Sequence, residues 1–476
     1  MGYKTIIGLE IHVELKTNTK ISCSCTNEFG GETNTHCCPI CLGLPGAMPI
    51  LNKQVLEYGI KSGIAFNSNI ARNTKMDRKH YFYSDLVKGY QTSQDDKPLC
   101  EGGYLEIESD KSRKKIHLDR IHIEEDTGKS IHTESGDTLL DYNRAGVPLI
   151  EIVTKPEINS AEEARLFLEK LRATLEYINV SDVRMEEGSL RCDININIAN
   201  EDTGEKTNIS EIKNLNSFRA AVKSIEYEVE RHTFLLDKGG NTKHETRRWD
   251  EVENKTILMR EKAESSDYRF LVDGDILPIE ISESWIKEIE DSLPELPHDK
   301  KKRFIDEYDL DEYDAEVLTQ SQDISLFFEE TVKYINDPNL VSNWIMGDVL
   351  RRLNQEDLGI EDLKFTSKEL ADLIQLVKEG KINNNTGKKV LRDMFETGKE
   401  PNIIVKEKGL IQISDESELN SIIQKVLDEN EQSIIDYKDG KDRALGFLVG
   451  QVMKVTRGKA NPQLVNKMIL EGIKGR

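Results

Sequence analysis

Apolar and polar residues alternate in short runs from the amino terminus to about Ser292, which predicts a largely antiparallel sheet with a few helices. In Leu9–Leu15 every second residue is apolar, so one face of this strand is expected in a core while the other carries polar side chains. Ala161–Tyr177 and Ser217–Leu236 instead place apolar residues three or four positions apart, the spacing of helices. The predicted fold of this part is therefore α+β.

The pattern changes after Ser292–His298, a segment with two prolines and no periodic apolar residues that is typical of a hinge. Beyond it, apolar residues recur at helical spacing in Leu340–Leu353, Ser367–Lys378 and Gly387–Phe395. A second break near Gly398 precedes a last helical segment. We predict three domains: a sheet-rich catalytic domain over 1–293, an all-helical connecting domain over 294–407 and a small helical tail over 408–476.

Length and charge limit the classes to which the chain can belong. It has 476 residues, more than one typical core needs, and a formal net charge of −22. The acidic total excludes a general affinity for polyanions, so any contact with nucleic acid requires a local basic patch. The amino terminus shows no leader pattern, and no run has the apolar length of a membrane span, so a cytoplasmic protein is expected.

One basic patch stands out near the carboxyl end. From Lys441 to Arg476, eight Lys or Arg residues accompany only Asp442 and Glu471. A solvated helix surface would have the same composition, so the pattern alone leaves both interpretations open. The candidate phosphate contacts are Lys441, Arg443, Lys454, Arg457 and Lys459.

Two cysteine pairs near the amino terminus have the spacing of a closed zinc site. Cys23 and Cys25 form one pair, and Cys38 and Cys41 form the other. Four thiolates surround Zn²⁺ tetrahedrally and leave no open position for water, so such a site would be structural. Reduced thiols without a ligand role are the alternative, and Cys37 beside Cys38 leaves the fourth ligand open.

Three strand-like segments place ionisable side chains where they could converge. Glu10 and His12 share the polar face of the first strand, and Glu125 falls in phase with apolar neighbours at the end of another. Glu151 interrupts a run that is apolar on both faces, so it needs a cation, a metal or a proton. We predict that Glu10, His12, Glu125 and Glu151 form one oxygen-rich site suited to Mg²⁺.

Further polar residues extend this candidate site. Later strands contribute Arg191, Asp193, Glu211 and Lys213 to polar faces. A loop contributes aromatic residues that can stack on a base or sugar and lysines that can approach a phosphate, namely Lys79, Tyr81, Tyr83, Ser84 and Lys88. The chain has no P-loop and no Gly-x-Gly-x-x-Gly motif, so an ATP site would be of another kind.

Five motifs, in this order, resemble the B subunits of bacterial aspartyl/glutamyl-tRNA amidotransferases: Gly8–Leu15, Cys38–Gly46, Asp141–Glu151, Gly188–Asp193 and Glu211–Arg219. The resemblance continues into the tail, where Leu445–Lys454 and Gly458–Gln463 are similar to the tRNA-binding domain of that family. It covers essentially the whole chain. It implies a catalytic domain similar in fold to glutamine synthetase and guanido kinases.

The resemblance also implies a reaction. As a carbon–nitrogen ligase with glutamine as the amide donor, the protein would use ATP to phosphorylate the side-chain carboxylate of Glu on tRNA(Gln) or Asp on tRNA(Asn). Ammonia would then displace phosphate. An amidase-type A subunit would supply the ammonia through a channel, and a small C subunit would brace the two.

The same resemblance implies roles for individual residues. Glu10, His12, Glu125 and Glu151 would hold the metal, and Lys88 would contact phosphate, while Lys79 with Glu125 would lie near the ammonia exit. The zinc would serve folding rather than the reaction. Two alternatives remain: a zinc-containing, tRNA-binding scaffold without catalysis, and a self-sufficient ligase that uses free ammonia.

Overall fold

The computed structural model describes residues 2–109, 112–133, 135–261, 268–356, 358–411, 416–438, 441, 443–456, 460 and 462–474. The chain divides into two compact units, residues 1–296 and 297–476. The first unit contains the sheets and the second contains only helices in its described part. The expected α+β fold is confirmed, whereas the predicted domain limits at 293 and 407 stay predictions.

The first unit is built on one ten-stranded sheet. The described strands of the whole unit, including those of smaller sheets, are β1 (Tyr3–Glu14), β2 (Asn69–Ile70), β3 (Asn73–Thr74), β4 (Asp77–His80), β5 (Tyr90–Ser93), β6 (Cys100–Glu101), β7 (Tyr104–Ser109), β8 (Ser112–Glu125), β9 (Lys129–His132), β10 (Thr138–Asp141), β11 (Pro148–Thr154), β12 (Leu190–Asn200), β13 (Ser210–Lys213), β14 (Glu245–Asp250), β15 (Lys255–Glu261), β16 (Leu271–Val272) and β17 (Ile279–Glu280). The main sheet has the order β15-β14-β13-β12-β1-β11-β8-β6-β2, with β7 paired to β8. Only the β13–β14 pair is parallel among the described pairs of this sheet, so the prediction of a largely antiparallel sheet is confirmed.

The central strands separate a core face from a polar face. In β1, the residues Ile7, Leu9, Ile11 and Val13 are fully buried, and the residues between them are more exposed. This alternation follows from the two-residue period of a strand. The buried residues pack against helices of the same unit, namely α1 (Lys53–Ala65), α2 (Ala161–Tyr177), α3 (Phe218–Asp237) and α4 (Glu283–Asp291).

Local capping explains where two of these helices begin. The Ser160 side chain accepts a hydrogen bond from the amide of Glu163, and the Ser217 side chain accepts one from the amide of Ala220. Each bond satisfies one of the amides that a helix start leaves without a partner. The observed α2 has the range that the sequence predicts, and α3 begins and ends one residue later than the predicted Ser217–Leu236.

The second unit contains α5 (Pro297–Tyr308), α6 (Glu312–Leu318), α7 (Gln322–Ile335), α8 (Pro338–Trp344), α9 (Arg351–Glu356), α10 (Ser367–Lys378), α11 (Asn384–Thr397), α12 (Pro401–Glu407), α13 (Glu416–Glu429), α14 (Glu431–Lys438), α15 (Arg443–Val455) and α16 (Pro462–Lys474). A π-helical turn, Ile345–Leu350, joins α8 to α9. Two separate hydrophobic clusters form within this unit, one from α5 to α12 and the other from α13 to α16. In the part of the chain that the structure describes, none of the helices has the length and apolar character needed to cross a membrane.

Candidate active site and metal centre

The register of four strands brings the polar residues of β1 into line with those of its neighbours. His12 lies opposite Glu151 of β11 on one side and opposite Arg191 of β12 on the other. Glu151 in turn lies opposite His122 of β8. Residues directly opposite each other in a sheet point to the same face. One row of ionisable side chains therefore crosses the polar face.

His12, Glu124 and Glu151 form a compact cluster on this face. The His12 Nε2 atom lies 3.2 Å from Glu124 Oε1 and 3.4 Å from Glu151 Oε2. The second histidine, His122, lies 3.2 Å from the same Glu151 oxygen. Neighbouring ligands of an octahedral Mg²⁺ are about 3.0 Å apart and opposite ones about 4.2 Å apart. The donor atoms of His12, Glu124 and Glu151 all lie within 4.8 Å of one another, so their chemistry and spacing fit such an ion.

Burial and opposite charge shift the pKa values of this cluster in opposite directions. Burial by itself lowers the pKa of His12, but the hydrogen bonds with Glu124 and Glu151 outweigh it and raise that pKa to about 10. Burial raises the pKa of Glu124, yet its histidine neighbours bring that pKa down to about 2. The carboxylates are thus held in the charged form that binds a cation, whereas His12 is protonated here and would have to release its proton to become a ligand.

A second acidic group lies one step along the same face. Glu10, Asp193 and Glu211 also offer ligand atoms within 4.8 Å of one another. The Lys213 ammonium contacts Asp193 and lies 3.1 Å from Glu211, and the Asn195 amide donates to Glu10 at 2.8 Å. Burial and the charge of Glu151 raise the pKa of Glu10. The predicted residues Glu10, Asp193, Glu211 and Lys213 are therefore brought together.

The structure brings Glu124, and not the predicted Glu125, beside His12 and Glu151. Glu125 pairs with Pro148, whose face of β11 is that of Ile150, whereas Glu124 pairs with Leu149 on the face of Glu151. Side chains of consecutive strand residues point to opposite faces of the sheet. Glu125 is in phase with the core residues of β8, so its side chain does not lie on the face of His12. The structure also places Glu10 in the second group rather than the first.

Glu125 instead borders a cavity of about 250 Å³, together with Lys88 and residues of the cysteine loop. Its carboxylate pairs with the Lys88 ammonium and accepts a hydrogen bond from the Thr92 amide at 2.7 Å. Lys88 also lies 4.8 Å from the ring centre of Tyr90. The predicted contact of Lys88 with phosphate stays a prediction, and in this structure Lys88 is paired with a carboxylate.

The predicted aromatic loop forms a partly exposed cluster. The Tyr81 ring lies 6.4 Å from that of Tyr83 and 6.1 Å from that of Tyr268. Lys79 lies 5.0 Å above the Tyr268 ring. Ser84 is exposed, and its carbonyl accepts a hydrogen bond from Tyr142. The rings are available for stacking, but the substrate roles of Tyr81, Tyr83 and Ser84 remain untested.

Two arginines lie at the edge of the first cluster, and only one of them was predicted from the sequence. Arg191, which was predicted, donates to the buried Asp126 carboxylate at 2.5 Å. Arg144 lies 3.5 Å from the same carboxylate and donates to the Thr127 carbonyl at 3.0 Å. Burial and the nearby Asp126 charge raise the pKa of Glu14 to about 7. Arg144 and Asp126 lie outside the strands, where periodicity carries no signal, whereas Glu14 shares the polar face of β1 with Glu10 and His12.

The four predicted cysteines also converge. The sulfur atoms of Cys23, Cys25, Cys38 and Cys41 all lie within 4.8 Å of one another. A tetrahedral zinc site would place them about 3.8 Å apart, and the sulfur atoms of Cys38 and Cys41 are 3.9 Å apart. Cys37 lies outside this group, where its sulfur contacts Asn143. The structure thus presents a four-thiol centre that fits a metal.

One thiol of this centre has an acidic character. The hydrogen bond from Cys23 contributes most to lowering the pKa of Cys41 to about 5, and the nearby Lys20 charge contributes in the same direction. A metal binds the thiolate form of cysteine. The same contacts raise the pKa of Cys23, and burial raises that of Cys25, so a bound metal would have to displace protons from these thiols.

The basic tail is described only in part. Arg443 and Lys454 are exposed at the two ends of α15. Lys441 is also exposed, and its ammonium lies 2.9 Å from Asp436. Arg457 and Lys459 lie outside the described residues. The predicted contact of this surface with tRNA is not tested by the geometry.

Comparisons with known proteins agree with this architecture. The family described as the GatB/GatE catalytic domain matches residues 5–287, and the family described as the GatB domain matches residues 326–473. A Finegoldia magna protein, named as the B subunit of aspartyl/glutamyl-tRNA(Asn/Gln) amidotransferase, is 54% identical over 473 residues, covering 99% of this chain and 100% of the relative. Proteins of the same name from Clostridium botulinum strain Langeland and from Clostridium tetani are 53% and 52% identical, and each alignment covers 99% of both chains.

Proposed function

The chain belongs to the family of B subunits of aspartyl/glutamyl-tRNA(Asn/Gln) amidotransferase, and from that premise we propose that it performs the ATP-dependent transamidation step. The observation that carries the proposal is the cluster of His12, Glu124 and Glu151 beside the acidic group of Glu10, Asp193 and Glu211. A scaffold that only bound tRNA would have no use for buried, charged carboxylates.

The chemistry explains why such a surface is needed. A side-chain carboxylate resists attack by ammonia because its leaving group would be oxide. In the proposed reaction, a carboxylate oxygen of the esterified Glu or Asp attacks the γ-phosphorus of ATP, and ADP leaves. Ammonia then attacks the acyl carbon, phosphate leaves with the bonding electrons, and the nitrogen loses a proton. The product is the amide on tRNA(Gln) or tRNA(Asn).

The residues of the polar face would divide this work between holding metal and holding anions. His12, Glu124 and Glu151 would bind one Mg²⁺, and Glu10, Asp193 and Glu211 could bind another. Bound Mg²⁺ supplies neutralisation of the phosphate oxygens. Arg191 and Arg144, which meet at Asp126, would orient anionic groups of the substrates. Lys213 balances the charge of the second group.

The four cysteines would bind a structural Zn²⁺ that stabilises the fold. Four thiolates close the coordination sphere, so this ion would not take part in the reaction. The same proposal includes ammonia from an amidase-type A subunit, a small C subunit, and tRNA contacts by Lys441, Arg443, Lys454, Arg457 and Lys459. Lys79 with Glu125 would lie near the ammonia exit. A cytoplasmic location follows from a role in translation.

The test is ATP cleavage that depends on misacylated tRNA, measured with the chain in complex with its partner subunits. We expect Glu151→Gln to lower this activity by at least about a hundredfold, the size of a lost metal contact. Glu101→Gln removes an exposed carboxylate of the same sheet and should leave the activity unchanged. Normal activity of Glu151→Gln would mean that the assignment of the metal cluster is wrong.

A further inference from the structure

Lys20 is fully buried beside the four-cysteine centre. Its exposed fraction is 0%, and its Nζ atom donates to the carbonyl oxygens of His36 at 2.7 Å, Ala145 at 2.8 Å and Tyr142 at 3.5 Å. Lysine is almost never fully buried unless a partner compensates its charge. Carbonyl oxygens satisfy the N–H donors of an ammonium but carry no net charge.

The described partners of the Lys20 ammonium carry no compensating charge. Among the residues that the structure describes, no carboxylate lies within ion-pair distance of its ammonium, whose partners are the three carbonyls. Glu125 borders the same cavity, but its carboxylate is paired with Lys88. A buried cation with only neutral partners is costly in free energy.

The four-cysteine centre has the opposite imbalance. Four thiolates around one divalent ion carry a net charge of 2 − 4 = −2. Lys20 and Cys41 flank the same glycine: a Cβ atom at Gly146 would lie 3.4 Å from the Cys41 Cβ and 3.7 Å from the Lys20 Cδ. Both residues also line the same cavity. A buried cation thus lies next to the place where a buried anion would form.

We propose that Lys20 is the buried counter-charge of the metal–thiolate centre and that it ties this centre to the Tyr142–Gly146 segment. The inference rests on the zinc assignment in the proposed function. The thiolate charge compensates the ammonium, and the ammonium holds the His36 carbonyl of the cysteine loop together with the Ala145 carbonyl. Lys20 is therefore a positioning residue.

Backbone hydrogen bonds also connect the Lys20–Ile21 segment to the cysteine loop and to Gly146. The Lys20 amide donates to the Cys25 carbonyl at 3.0 Å, and the Ile21 amide donates to the Gly146 carbonyl at 2.9 Å. The Gly146 amide in turn donates to the carbonyl of Asp126 at 3.0 Å, the residue that Arg191 contacts. One short chain of contacts therefore connects the cysteine centre with the edge of the candidate active site.

The first experiment measures zinc affinity of the full-length chain by competition with a chromophoric chelator. Lys20→Met should weaken zinc binding by about ten- to a hundredfold, the range for residues that support metal ligands. Lys20→Arg keeps the charge and should stay within a few-fold of the parent. Lys129→Met removes an exposed lysine and serves as the control. Equal zinc affinity of Lys20→Met and Lys129→Met would overturn the proposal.

A second experiment separates charge compensation from the carbonyl contacts. Lys20→Met is compared in the parent and in a chain whose four cysteines are serines, and the urea midpoint of unfolding is measured in each. With the thiols present the midpoint should fall, and without them it should stay or rise, because the lysine would then be an uncompensated cation. An equal fall in both backgrounds would overturn the proposal.

The outcomes also separate this inference from the proposed function. A Lys20→Met chain that folds only in the four-serine background supports the proposal, and one that folds in neither background contradicts it. A parent chain that binds no zinc would remove both the zinc assignment and the role of Lys20. Transamidation is assayed independently, so its presence or absence does not decide either result.

Discussion

Glu124 and Glu125 are neighbours in sequence, yet the sheet gives them different surroundings. Glu124 faces His12 at 3.2 Å, whereas Glu125 pairs with Lys88 beside the cavity. Both side chains are buried, so burial alone does not distinguish their roles. The distinction comes from the register of β8 against β11, which decides the face on which each carboxylate lies.

The two carboxylates should therefore respond differently to magnesium. We expect Glu124→Gln to raise the Mg²⁺ concentration needed for half-maximal tRNA-dependent ATP cleavage by about tenfold or more, since it removes a negative ligand. Glu125→Gln should leave that concentration within about twofold, because its partner is Lys88. A magnesium titration of each variant makes the comparison.

The opposite pattern, with Glu125→Gln alone raising the Mg²⁺ requirement, would contradict the division of the two faces. Glu101→Gln again provides the matched control, because its carboxylate is exposed. Activity at saturating Mg²⁺ should be recorded as well, since a variant that misfolds would lose activity at every concentration.

The structure brings together the residues that the sequence singled out on β1 and β11, but on β8 it places Glu124 beside them instead of Glu125. Glu10 and His12 follow the alternation of a half-buried strand, and Glu151 interrupts an apolar run. Two consecutive glutamates at the end of β8 fit either face, so only the pairing of strands identifies Glu124. Lys20 looks like an ordinary surface lysine in the sequence, because its burial depends on segments more than one hundred residues away.

At the scale of elements, the short Lys20–Ile21 segment joins the cysteine loop to the loop before β11. It does so through the Cys25 and Gly146 carbonyls. The cysteine spacing predicted the four-thiol cluster, and the structure adds the elements that contact it. Removal of zinc should therefore loosen more than the cysteine loop.

Chelation of zinc should speed amide hydrogen exchange in residues 19–25 and 141–147, because their mutual hydrogen bonds lose the support of the cysteine centre. Peptides from the centre of β1, which is paired on both sides, should be unaffected. Hydrogen–deuterium exchange with mass spectrometry before and after chelation gives the result. A change confined to the cysteine loop, or one spread evenly over the unit, would contradict the tie.

The buried ion network on α3 has a structural role of its own. Glu228 is fully buried and contacts Arg231 at 2.7 Å, His232 at 3.1 Å and Arg247 at 3.2 Å. Burial raises the pKa of Glu228, but the hydrogen bond with His232 and the arginine charges outweigh it and bring that pKa to about 2. The sequence predicted the helix but did not indicate this network. The network forms only when α3 packs near β14, which contributes Arg247.

Since the folded-state pKa of Glu228 lies below its ordinary value, the group contributes stability above about pH 4.5 that is lost as the pH falls toward 2. Glu228→Gln should cost about 3 kcal/mol of unfolding free energy at pH 7. The difference from the parent should shrink as the pH falls below about 4.5. Urea unfolding at several pH values measures it, with the exposed Glu230→Gln as the control. A difference that does not vary with pH would contradict the ionic role.

At the scale of the whole molecule, the hydrophobic clusters could be predicted from the sequence more readily than the candidate active site. Each of the three clusters collects residues from a continuous stretch of chain, and such stretches show as changes in apolar periodicity. The candidate active site draws instead on β1, β8, β11, β12 and β13. Its assembly depends on strand order, which no local pattern contains.

The tail offers the last prediction, because its cluster of α13 to α16 is separate from that of α5 to α12. Leu410 packs against the earlier cluster, so truncation after Ile411 preserves that core. Because the basic patch would supply phosphate contacts in the proposed function, we expect the truncated chain to bind tRNA more weakly and to show a shallower dependence of log affinity on log salt. Filter binding at several salt concentrations measures both quantities.

Point variants make the same prediction without deleting a domain. Arg443→Glu and Lys454→Glu reverse exposed charges on α15, and each should lower the salt slope by about one if the side chain contacts a phosphate. Lys425→Glu reverses an exposed charge on α13, in the same hydrophobic cluster, and should change neither the affinity nor the slope beyond the effect of net charge. Equal effects of all three variants would mean that long-range attraction, and not a contact surface on α15, accounts for the basic tail.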